Sequence, residues 1–148
     1  MAAGDITLFD EFTNSYGQEI HDFVNDTFKL GLINNDSGEP ANTTALPQWG
    51  NFSTDDVSNA GGYTAGGETI GSTVYNEADG TATFYGNNVS LSQNGSGFTN
   101  ARWGIIYNDT AANDEAVGYV DLGEDISEQA GDININWNSN VIFNLAIS

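Results

Sequence analysis

Apolar residues near the start of the chain recur at intervals of three and four. Leu8, Phe9, Phe12, Tyr16, Ile20, Phe23 and Val24 fall on one face when the segment is wound as a helix. The pattern predicts a helix over about residues 6–25. Asp5 or Thr7 is placed to cap it, and Asp10 and Glu11 suit the positive end of its dipole. Gly17 is its weak point, costing about 1 kcal/mol relative to Ala. Such a stripe needs a surface to pack on, and a sheet is expected to supply it. From Thr27 the period changes to two. Phe28, Leu30 and Leu32 alternate with Thr27, Lys29 and Gly31, which predicts a strand ending near Ile33.

Residues 34–67 break both periods. The stretch holds Pro40, Pro47 and the pairs Gly61-Gly62 and Gly66-Gly67, and reads as a long surface arm. Trp49, Phe52, Val57 and Tyr63 within it mark places where it packs down. Short alternating runs follow: Thr69–Tyr75, Thr81–Tyr85, Val89–Ser92, Trp103–Tyr107, Ala116–Leu122, Asp132–Trp137 and Val141–Ile147. Asn- and Gly-rich turns separate them. The last two runs are expected to pair as one hairpin across Asn138-Ser139-Asn140. The fold class expected is mainly β with one N-terminal helix, in an antiparallel β-sandwich or partly open barrel.

Length changes this picture little: 148 residues suit a single domain with its own core. Charge changes it more. Lys29 and Arg102 are the two basic residues against 21 acidic ones, a net charge of −19. Phosphate-directed nucleic-acid binding needs clustered Lys and Arg, and anionic membranes attract the same residues, so neither is an expected partner. The acidity fits solubility, a salty environment or a basic protein partner. The chain has no Cys, which removes disulfides and thiolate metal sites. Met1-Ala2-Ala3-Gly4-Asp5 lacks the pattern of a secretory leader.

Candidate chemistry is sparse. His21 is the single imidazole; placed on the helix, it reads as a hydrogen-bonded structural residue rather than a base. The run Gly61–Gly67 is glycine-rich but has no following Lys and joins no strand to a helix, so a phosphate cradle is not expected. Carboxylate pairs such as Asp55/Asp56 and Glu124/Asp125 arise readily in so acidic a chain. The oxygen-rich turns Asn34–Glu39 and Asn108–Glu115 are the places for a Ca²⁺ ion, with ordinary Asx turns as the simpler reading. No catalytic residue and no cofactor is expected. Trp103 and Trp137 read as core, whereas Trp49 in the arm reads as a contact residue.

Several segments resemble a group of small tailed-phage virion proteins of the capsid cement or decoration type. They are His21-Asp22-Phe23, Asp26–Leu32, Gly62–Gly67, Ala101–Thr110, Gly118–Gly123 and the terminal segment reaching Asn144-Leu145-Ala146. Together they span most of the chain, with 34–56 matching least. The resemblance implies a structural, non-enzymatic protein on the capsid exterior, present in the host cytoplasm during assembly. It implies the major capsid protein as partner and a homo-oligomer, trimer or dimer, at a local symmetry axis. On this reading the arm and N-terminus act as clamps, with Trp49, Phe52 and Tyr63 as partner-binding residues. The alternative is a tail or fibre component whose sandwich binds glycan.

Overall fold

A computed structural model describes residues 4–147. Met1-Ala2-Ala3, where the leader pattern was sought, lie outside the described residues. The chain is mainly β, as expected, with antiparallel sheets in a sandwich-like arrangement.

The large sheet has five strands. In chain order they are β1 (Thr7–Leu8), β2 (Phe28–Ile33), β3 (Glu68–Thr69), β7 (Ala101–Asn108) and β8 (Ala116–Ile126). Their spatial order is β1-β8-β7-β2-β3. A second sheet orders β10 (Val141–Ala146), β5 (Thr81–Tyr85) and β4 (Val74–Ala78). A two-stranded ribbon joins β6 (Val89–Leu91) to β9 (Ile133–Ile135). The main core brings together Phe28, Leu30 and Leu32 of β2, Val120 and Leu122 of β8, Phe84 of β5, Ile135 of β9 and Phe143 of β10.

The large sheet is covered on its other face as well. Phe9, Trp49, Phe52, Trp103, Ile105, Tyr107 and Tyr119 form a second cluster there. This explains why every residue of β7 except Arg102 is buried: a strand packed on both sides has no solvent face to alternate toward. The covering layer is the arm. Its helix α2 (Trp49–Phe52) lays Trp49 parallel to Tyr107, with centroids 5.2 Å apart. Gly31 on β2 makes the room, since a β-carbon there would overlap the Trp49 ring. The arm is also tied by backbone bridges from Asp56 to Ile33 and from Gln48 to Glu115. Residues 34–67 are therefore a layer of the domain, not a free arm.

Three further expectations are corrected. The N-terminal helix is short: α1 spans Phe12–Gly17, and Thr7–Leu8 ahead of it pairs with β8. It stops because Glu19 turns left-handed (φ 58°), Glu19 N–H bonds Tyr16 O and Ile20 N–H bonds Ser15 O. That is a Schellman ending with Glu where Gly usually sits. Beyond it, Asp22 Oδ1 accepts the N–H of Val24 and of Asn25, an Asx turn that competes with helix. The run Thr69–Tyr75 divides into β3 and β4 around Ser72, which is also left-handed. Finally, the last two runs do not form one hairpin. Ile133–Ile135 pairs with β6 and Val141–Ala146 with β5. Ser139 and Asn140, both left-handed (φ 53° and 62°), redirect the chain from ribbon to sheet. The tight hairpin lies elsewhere: Asp79-Gly80, both at positive φ, join β4 to β5 as such two-residue turns require.

Candidate functional site

His21 lies past the end of α1, 6% exposed, not on a helix. Its ring stacks on Phe12 with centroids 6.0 Å apart. Beside it stands Asn108, fully buried at the end of β7. Asn108 Nδ2 donates to Asp26 Oδ2 at 2.6 Å and to Ile20 O at 3.2 Å, and lies 3.4 Å from His21 Nδ1. The other ring nitrogen, Nε2, is buried without a hydrogen-bond partner. Burial holds the His21 pKa below its usual value, opposed by the carboxylates of Glu115 and Asp26. Asn108 Oδ1 meanwhile accepts from Thr110 and Ala111 N–H. The hub joins the 20–26 loop to the 108–111 turn. Through Asn108 it holds the backbone of Ile20, Thr110 and Ala111.

The oxygen-rich turns are spent in the same way. Asn34 Oδ1 accepts Asp36 N–H, Asn35 Oδ1 accepts Trp103 Nε1–H at 2.8 Å, and Glu39 Oε1 accepts Tyr119 OH. In the other turn Glu115 accepts from Asn113. Among the described residues no group of three or more His, Cys, Asp or Glu is placed to hold a metal ion. Both cations are paired: Lys29 Nζ lies 2.9 Å from Asp109, and Arg102 lies 3.0 Å from Asp121 with its guanidinium over Trp103.

The three expected partner-binding residues sit inside the chain. Trp49 and Phe52 are each 9% exposed within the second cluster, and Tyr63 is 2% exposed within the main core. Tyr63 OH donates to Asp56 at 2.8 Å and accepts from Leu32 N–H at 2.9 Å; burial pushes this hydroxyl's pKa far up. The glycines ahead of it roof a buried carboxyl: Glu128 Oε1 accepts Gly62 N–H, and a β-carbon at Gly61 or Gly97 would collide with Glu128. All three aromatics thus fasten the arm. Trp103 and Trp137 are buried too, so no tryptophan offers a flat sugar platform.

Large apolar groups are exposed elsewhere, at Tyr16, Val24, Leu46, Val74 and Ile147. Tyr16 and Val24 line one groove together with Phe23, Glu19 and Tyr75 of β4. The hydroxyls of Tyr16 and Tyr75 are 3.3 Å apart, and burial together with that contact pushes Tyr75 up to about 12. Sequence reasoning placed Tyr16 and Val24 on the packed stripe; both are exposed, Tyr16 on α1 itself and Val24 in the turn beyond its early end. No helix of the described residues is long and apolar enough to cross a membrane. No family model, curated protein or solved structure matches this chain.

Proposed function

We propose that this chain is a virion structural protein of the capsid-decoration type, binding the outside of an assembled shell and stabilising it. The observation that carries the reading is the disposition of charge on a firmly packed domain. Both side-chain cations are consumed in ion pairs with Asp109 and Asp121, leaving a surface of uncompensated acid around a sheet packed on both faces. Such a body repels its own copies in dilute solution and is drawn to a basic protein surface. The segments that resemble phage decoration proteins supply the second support: Asp26–Leu32, Ala101–Thr110 and Gly118–Gly123 coincide with β2, β7 and β8, the three central strands. On this reading copies gather on the shell around a local symmetry axis, where many weak contacts add up. The major capsid protein is the partner.

The test is to image purified particles from the source and count copies of this chain per shell. Many copies in a regular lattice on the shell exterior are expected. A few copies confined to the tail would refute decoration and favour a tail component.

A further inference from the structure

The N-terminal apolar stripe is left incomplete. Phe9, Phe12 and Phe23 are buried, yet Tyr16 is 47% and Val24 69% exposed. Tyr16 stands as a ridge between two open grooves. One holds Phe23, Val24 and Tyr75; the other holds Leu8, Phe12 and Leu145. Together they make an apolar strip along α1. Its margins carry Asp10, Glu19 and Asp22 and no Lys or Arg, and the one base in the lining, His21, is a buried ring whose pKa burial holds down. β4, which contributes Tyr75, is an edge strand with a sheet neighbour on one side only, and all its residues but Tyr75 are exposed.

An apolar strip of this kind can be covered by many things, and charge selects among them. A second copy would bring another net charge of −19 and the same acidic margins against these. An acidic or nucleic-acid partner meets the same repulsion. A cation, by contrast, gains from the ring faces of Tyr16 and Tyr75 and from the Glu19 carboxylate within one groove.

We propose that the strip on either side of Tyr16 docks an extended, basic segment of a partner protein, running beside β4. Its apolar side chains fill the grooves, and an Arg or Lys lies between the tyrosine rings and Glu19. The open edge of β4 offers backbone hydrogen bonds to such a segment. The identification of that segment as part of a capsid shell rests on the decoration reading; the chemistry of the groove does not.

The test uses the full chain, labelled with nitrogen-15 and titrated at about 0.15 M salt with a capped peptide alternating valine and arginine. The expected result is amide shifts centred on Tyr16, Glu19, Val24 and β4. Val24→Arg should weaken binding about tenfold, while Glu124→Lys, on the exposed end of β8 and outside both grooves, should change it by less than about twofold. Shifts spread over the acidic surface, equal losses in both variants, equal binding of a valine–glutamate peptide, or no binding would overturn the proposal. Because the titration needs no shell, its failure leaves the copy count on particles to stand, and an empty shell leaves the groove's response to stand.

Discussion

If residues 34–67 are a structural layer, removing their central ring must cost the whole domain. Trp49→Ala is the sharpest perturbation. The ring is buried against Tyr107 and seated over Gly31, and truncating a buried Trp or Phe to Ala costs about 3–5 kcal/mol. That is a large share of the roughly 5–15 kcal/mol that stabilises an ordinary domain. With a urea slope of about 2 kcal/mol per molar, the midpoint should fall by about 2 M. Far-UV circular dichroism reads the transition without relying on the lost fluorophore. Gly31→Ala supplies the control for mechanism. In the native background it forces the ring away, an overpacking cost of about 1–3 kcal/mol; in Trp49→Ala there is no ring to displace and most of that cost should vanish. A loss below about 1 kcal/mol for Trp49→Ala, or additive effects of the two substitutions, would mean that the arm does not pack on the sheet as described.

The remaining predictions concern polar groups. His21 has a folded-state pKa below the usual 6.5, so as pH falls through that value the unfolded chain takes up the proton first and stability drops. The native protein should therefore lose more stability than His21→Gln between about pH 7.5 and 5; a constant gap by urea titration would remove the cause. Asn108→Ala strands the N–H groups of Thr110 and Ala111 and the carbonyl of Ile20, and should cost at least about 2 kcal/mol in chemical unfolding. Glu19→Gly relieves a left-handed backbone at the end of α1 and should be neutral or raise the melting temperature slightly; a clear fall would count against the Schellman geometry. With a net charge of −19, the melting temperature should rise with salt and level off once the Debye length has shrunk to about 3–5 Å. A rise that continues into several molar would indicate adaptation to brine instead.

Strands were legible where large apolar residues alternate with polar or small ones. Thr81–Tyr85 was placed to the residue, and Phe28–Ile33 within one residue. Pairing was not legible, because alternation says which face is apolar and nothing about which strand lies alongside. Ile133–Ile135 and Val141–Ala146 alternate as expected yet go to different sheets; the turn between them was placed correctly, but that its left-handed residues Ser139 and Asn140 send the chain to another sheet was not legible. Trp49, Phe52 and Tyr63 were recognised as anchors, but what they anchor is the arm itself. The signal that pointed inward was β7: Trp103-Gly104-Ile105-Ile106-Tyr107 is an almost unbroken apolar run, the mark of a strand covered on both sides, and something had to supply the second cover.

The N-terminal stripe shows where local pattern and tertiary structure part company. Its spacing is helical throughout, but a Schellman ending at Glu19 and an Asx turn at Asp22 divide it after one and a half turns. The division lets Phe23 swing in to meet Phe28 and Phe84, while Tyr16 and Val24 stay outside. A sequence selected only for the stability of this chain gains nothing from two large apolar groups in water beside an edge strand, which invite aggregation. Their surroundings supply the missing constraint. The acidic margins of the strip and the charge of every other copy hold like chains apart, so the same exposed surface is protected in solution and available to a basic partner. The acidity is thus what makes an uncovered docking strip tolerable.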